Sequence, residues 1–166
     1  MADRLFSKIL VPVDFSACSE EAFRVALSLA RLFQSEVSLL HVIDTKSLGM
    51  LNLLGLALPS EERGQTKRLR HQARLNARRL LQLDEAKGVT IRRFLAEGAP
   101  WVEIARMART EKADLVVMGS YGGSASNVDK IFFGSTAEKV VRTAGCPVLT
   151  VPVAASPRTR TAKPNT

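Results

Sequence analysis

The chain has 166 residues, 46% hydrophobic and 24% charged, and carries a formal net charge of +8. That length and ordinary composition suit one domain with a sizeable core, and two distant cysteines, Cys18 and Cys146, argue against a disulfide framework or a zinc site. No basic-then-apolar leader opens the sequence, and its most apolar stretch, 48–58, is far shorter than the about 20 residues of a membrane span, so a cytoplasmic location is expected.

In chain order, Lys8-Ile-Leu-Val-Pro-Val-Asp14 is a short apolar run rich in β-branched residues that ends in an Asp-Phe-Ser turn signal. It predicts a buried strand. Ser16 and Ser19 are candidate N-caps for a helix whose inner face is Ala22, Ala26, Leu29, Ala30 and Phe33. Residues 36–43 form a second strand, and the leucine-rich 44–60 reads as a connecting loop whose apolar stretch 48–58 either covers a crevice, joins a subunit interface or packs as a core connection. A long helix is expected over 61–87, with Leu69, Ala73, Ala77, Leu80 and Leu83 inward and Gly88 as its stop.

Charge concentrates there. Residues 61–88 carry a net +4, and Arg63, Lys67, Arg70, Arg74 and Arg78 fall on one line of the helix. Such a stripe reads either as a solvated face or as a docking surface for an acidic protein partner. The absence of interleaved aromatics argues against nucleic acid.

A third strand is expected over 89–96, followed by a helix with Pro100 in its first turn and Ile104, Ala105 and Ala108 inward. The nearly continuous apolar run 114–119 is the fourth strand, and 120–133 is a polar, glycine-containing loop. A last helix over 135–143 is closed by Gly145, and 147–152 is the fifth strand. The tail 153–166 is basic, rich in Pro, Ser and Thr, and expected to be disordered. The domain is thus placed at 1–152.

Strands alternating with helices, the central strands apolar throughout, predict an α/β fold: one doubly wound five-stranded parallel sheet covered on both faces. With the order 3-2-1-4-5, ligands would sit beyond the carboxyl ends of strands one and four, where the order reverses. Asp14 and Gly119 would then face each other there. Gly119 and Gly122 let the backbone approach a phosphate closely, and Gly134, Ser135 and Thr136 open a helix whose N–H groups and dipole favour an anion. Turn formation and helix capping account for the same residues equally well. No Walker A loop or GxGxxG fingerprint is present.

Five segments together resemble the universal stress protein family: Lys8 to Asp14, Leu40-His-Val42, Asp114-Leu-Val-Val-Met-Gly-Ser, Gly134-Ser-Thr-Ala-Glu-Lys-Val-Val-Arg142, and Cys146-Pro-Val-Leu-Thr-Val-Pro152. The nucleotide-binding members carry G-x-x-G, nine residues, then G-[S/T]. The resemblance matches Gly119 and Gly122 to the first pair and Gly134-Ser135 to the last. It implies that Asp14 stands near the ribose or base and that the Val42 backbone meets adenine. Pro12, Met118, Ser120 and Thr136 complete the expected nucleotide-binding set. Eleven residues rather than nine separate Gly122 from Gly134, and the usual basic or polar residue after Gly122 is Gly123. The two extra residues either bulge outward or displace the loop over the phosphates.

The resemblance therefore implies a stress-related regulatory module that binds ATP or a related adenine nucleotide, with or without Mg²⁺. It also implies a homodimer through the fifth strand, at Val148, Leu149 and Val151. Efficient catalysis is not expected, because no general base stands out in the phosphate loop. A nucleotide-free dimerisation module and a weak ATPase are the alternatives. His41 is expected to be a satisfied core histidine, Cys18 an inert thiol and Asp129-Lys130 a solvated pair.

Overall fold

A computed structural model describes residues 5–54, 59–121 and 134–152 of the chain, with side-chain placement left open at 48, 51, 52 and 59–63. Its elements are β1 (Lys8–Pro12), α1 (Ala17–Phe33), β2 (Glu36–Asp44), α2 (Thr45–Leu53), α3 (Pro59–Leu81), β3 (Ile91–Gly98), α4 (Pro100–Thr110), β4 (Leu115–Gly119), α5 (Ser135–Thr143) and β5 (Val148–Val151). The five strands form one sheet in the order β3-β2-β1-β4-β5, and every adjacent pair is parallel.

Successive strand residues feed opposite cores, which is why the inner strands are apolar without alternation. Ile9, Val11, Leu39 and Val117 pack under α1 and the end of α3, with Phe23 and Leu27 from α1. Leu10, Leu40, Val116 and Met118 pack on the other face against Ile104 and Met107 of α4 and Val140 of α5. Ser16 caps α1: its side chain accepts from the Ser19 N–H. Of the predicted inner face, Ala22, Ala26 and Ala30 are buried, while Leu29 and Phe33 line the rim.

Three predicted elements require correction. Residues 45–53 are helical rather than loop, because the Asp44 carboxylate accepts from both the Ser47 N–H (3.0 Å) and the Ser47 hydroxyl (2.5 Å). That is an N-cap arrangement, and the leucines behind it are good helix formers. Helix α3 stops at Leu81 rather than Lys87. Gln82 and Leu83 donate three residues back, Leu83 turns extended, and a short 3₁₀ turn follows at Asp84–Ala86. Arg31 of α1 supplies the missing donors to that turn, bonding the Asp84, Glu85 and Lys87 carbonyls. Gly88, with φ 77°, follows this turn rather than the helix. Strand β3 lies two residues later than expected, since its partner β2 runs on to Asp44, paired with Gly98.

The remaining boundaries fall within two residues of the expected ones, and α5 spans the expected residues. Strand β3 is an edge strand, stapled to its neighbours by Arg92, whose guanidinium reaches Glu36 (3.4 Å) and Glu111 (2.7 Å) and lies over the Phe94 ring. Asp114 ties the start of β1 to β4 by accepting from the Ser7 and Lys8 N–H groups. Among the described residues no helix is long and apolar enough to cross a membrane. The tail 153–166 lies outside the described residues.

Candidate functional site

The chain runs outward from β1 to β3, returns, and restarts at β4 on the other side of β1, so the reversal of strand order falls between β1 and β4. Crevices form at such points because the connections leave the two strand ends in opposite directions. Ile9 pairs with Leu115 and Leu10 with Val116. The same register carried forward sets Asp14 level with Ser120.

Pro12 is the last residue of β1 and is buried, paired with Leu40. Val13 continues the ladder through its N–H to the Leu40 carbonyl (2.8 Å). Asp14 then turns outward and is exposed. Its Oδ1 accepts from the Ser16 N–H (3.0 Å) and the Ser16 hydroxyl (2.5 Å), and its own N–H donates to Ser19 Oγ (3.3 Å). An aspartate turn is thereby joined to the cap of α1, which fixes the carboxylate at the mouth of the crevice.

Phe15 pays for this sharp exit with φ 63°, a left-handed conformation costing a non-glycine residue roughly 1–2 kcal/mol. Its ring holds the turn by packing against the core and against His41, ring centroids 4.7 Å apart. His41 Nδ1 donates to the Val13 carbonyl (2.7 Å). The expected satisfied histidine is found, half-buried and bonded to the strand end that carries the site.

On the other side, Met118 is buried and Gly119 ends β4. Gly119 abuts the start of α1: a Cβ there would lie 3.1 Å from the Cys18 carbonyl carbon, the Cys18 sulfur and the Ser19 nitrogen. Close packing of helix on strand therefore favours glycine, since any side chain there would press the first turn of α1 outward by a few tenths of an ångström. Ser120 is held on both sides, its N–H donating to Val151 (3.0 Å) and its carbonyl accepting from the Gly134 N–H (2.8 Å). This second bond brings Gly134, Ser135 and Thr136 beside the end of β4.

Gly134 is the N-cap of α5 and has no side chain to satisfy the first-turn N–H groups. Helix α5 therefore presents its N–H groups and positive dipole end at the crevice, chemistry that suits an anion. Ser135 is exposed and Thr136 half-exposed there. Val42 stands on β2, one strand further, paired with Ala96 and half-buried.

The fold thus brings Pro12, Asp14, Met118, Gly119, Ser120, Gly134, Ser135 and Thr136 to the carboxyl ends of β1 and β4, with Val42 near the end of β2. Gly122, the eleven residues after it and the Asp129-Lys130 pair lie outside the described residues. Sequence reasoning passed over the roles of Ser16 and Ser19 in holding Asp14. The signal was present in Asp-x-Ser followed by Ser-x-x-Ser.

Cys18 is buried and its thiol donates to the Val151 carbonyl (3.0 Å), a structural use. Burial, then the nearby Asp114 carboxylate, raises the pKa of the Cys146 thiol. Among the described residues no group of three or more His, Cys, Asp or Glu is placed to hold a metal ion.

The sequence profile of the Universal stress protein family matches residues 5–152. Universal stress protein MJ0531 of Methanocaldococcus jannaschii is 33% identical over 151 residues, covering 90% of this chain and 84% of that protein. The solved structure of MJ0577, from the same organism, superposes with a TM-score of 0.73 at 29% identity, covering 92% of this chain and 99% of that one. The universal stress protein of Archaeoglobus fulgidus, solved in complex with dAMP, superposes with a TM-score of 0.55 at 23% identity, covering 89% and 98%.

Proposed function

This chain belongs to the universal stress protein family, and from that premise we propose that it is a regulatory module binding ATP or a related adenine nucleotide in the β1/β4 crevice. The observation that carries the reading is the Gly134 N–H to Ser120 carbonyl bond, which sets an uncapped helix N-terminus against the end of β4. Phosphates would lie on the first turn of α5, with the Ser135 and Thr136 hydroxyls as added donors. The Asp14 carboxylate would accept from the ribose, and adenine would rest along Pro12 and the Val42 backbone. Gly122 would continue the phosphate cradle from Gly119. The A. fulgidus protein attests the fold; what supports an adenine nucleotide here is the uncapped N-terminus of α5 and the Asp14 carboxylate beside the ends of β1 and β4.

Magnesium would arrive with the phosphates and keep its water and phosphate ligands. Occupancy would alter the surface around the crevice and so a partner contact, in the cytoplasm and in a stress response, within a domain spanning 1–152. Calorimetric titration tests the binding: Mg-ATP should saturate one site per chain, with Mg-GTP at least tenfold weaker. Equal affinities would contradict the adenine assignment. Turnover on the order of 1 per second or faster would contradict a binding module and favour an enzyme.

The second strand edge of the sheet supports a homodimer. Among the described residues β5 pairs only with β4, and Leu149 is 39% exposed. An apolar sheet edge of this kind invites pairing with a second copy through Val148, Leu149 and Val151. Light scattering at micromolar concentration should give a dimer for the parent and a monomer for Leu149→Arg. A monomeric parent would contradict the interface.

A further inference from the structure

The outward face of α3 is cationic. Between Gly64 and Leu81 the helix carries six Lys or Arg residues and no Asp or Glu. Its inner side is consumed by the sheet, with Ala73 and Leu80 buried. Two of the cations lie on its flanks and are neutralised by neighbouring elements: Arg70 by Glu97 of β3, and Arg79 by Glu20 of α1. The Arg70 bond holds the Glu97 carboxyl below its usual range.

The other four, Lys67, Arg68, Arg74 and Arg78, are exposed and have no ion-pair partner among the described residues. Helical spacing puts Lys67, Arg74 and Arg78 on one line, about 16 Å long at 1.5 Å per residue. Solvated helix faces usually mix signs at i,i+4 and gain from it. Here Arg70, Arg74 and Arg78 repeat one sign at that spacing, an arrangement that costs helix stability.

We propose that this face docks an acidic segment of a protein partner. Its width is that of one helix, about 10 Å. Four of its six cations are set free on the outward side, and Leu75 stands among them, 44% exposed. The cations are mostly arginines, whose planar forks match carboxylates bidentately. A bilayer is poorly matched because the apolar side of α3 is already used by the core. A nucleic acid is poorly matched because no Phe, Tyr or Trp interrupts the exposed cations, the one ring on this line being the His71 imidazole, and the Glu20–Arg79 and Glu97–Arg70 pairs bound the strip on both sides. The site is separate from the nucleotide crevice and its occupancy does not depend on that reading.

The test uses the full chain and the variant Lys67→Gln/Arg74→Gln/Arg78→Gln, with a fluorescent 20-residue Glu/Leu peptide, a mixed 20-nucleotide RNA and phosphatidylserine vesicles as probes. The peptide should bind the parent, weaken with salt, and lose at least tenfold in the variant, with binding restored by Lys67→Arg/Arg74→Lys/Arg78→Lys. The Gln variant should keep its ATP affinity and melt no lower than the parent, since it loses only like-charge repulsion. Peptide binding that is absent, or within twofold between parent and Gln variant, would overturn the proposal. So would RNA or vesicle binding as tight as that of the peptide. Loss of ATP binding in the parent would sink the nucleotide reading alone and leave this surface standing.

Discussion

Gly119→Ala should melt several degrees below the parent, and Gly119→Val should lose measurable nucleotide binding. The added Cβ would stand 3.1 Å from two backbone atoms and the sulfur at the start of α1. Backbone in the first turn of a packed helix cannot yield as the end of a flexible side chain does. Overpacking of this kind costs about 1–3 kcal/mol, and each kcal/mol lowers Tm by about 2–4 °C in a chain of this size. The two methyls of valine enlarge the clash and drive α1 from β4, carrying the Ser16 and Ser19 hydroxyls that hold Asp14 with it. Gly64→Ala is the control. That glycine is helical with nothing within 4 Å of the added Cβ, so the change should be neutral or stabilising by up to about 1 kcal/mol. A Gly119→Ala protein as stable as the parent, or a Gly119→Val protein of unchanged affinity, would show that the contact does not shape the site.

Asp14→Asn should weaken adenine-nucleotide binding by about tenfold to a hundredfold at unchanged Tm. A hydrogen bond to a charged group contributes about 1.5–3 kcal/mol, which converts to that range. The amide keeps an oxygen for the Ser16 N–H and hydroxyl, so the turn into α1 survives. Asp14→Ala removes both functions and should lower affinity and Tm together. The pair separates ligand contact from turn formation, and calorimetry with thermal melts reads both. Affinity of Asp14→Asn within twofold of the parent would reduce Asp14 to a structural turn residue.

The sheet was legible because burial on both faces writes itself as uninterrupted β-branched and leucine runs at 8–14 and 114–119. The five strands and their parallel packing follow from those runs and their alternation with helices, whereas the order 3-2-1-4-5, and with it the β1/β4 reversal, was a condition on the reading that the structure meets. Helix α2 was hidden because its start signal, the Asp44 carboxylate accepting from the Ser47 N–H and hydroxyl, is carried by side-chain bonds that composition does not show. The end of α3 was hidden because a distant residue, Arg31, satisfies the turn after it.

At the site, the glycines and hydroxyls of Gly119 and Gly134–Thr136 were legible as turn and cap chemistry. Their meeting through Ser120 was not, since it depends on a hydrogen bond across the intervening loop. Nor was the reason for Gly119 legible: its φ is ordinary, and only packing against Cys18 and Ser19 demands the missing side chain. The paired flanks of α3 likewise became distinct from its open line only once Glu20 and Glu97 were placed in space.

The most direct test of the nucleotide assignment is to purify the full chain, denature it, and identify by mass spectrometry any small molecule released. ATP, ADP or AMP in near-stoichiometric amount is the predicted result. A chain that releases nothing and also fails to bind added Mg-ATP by calorimetry would contradict it, and would leave a nucleotide-free dimerisation module.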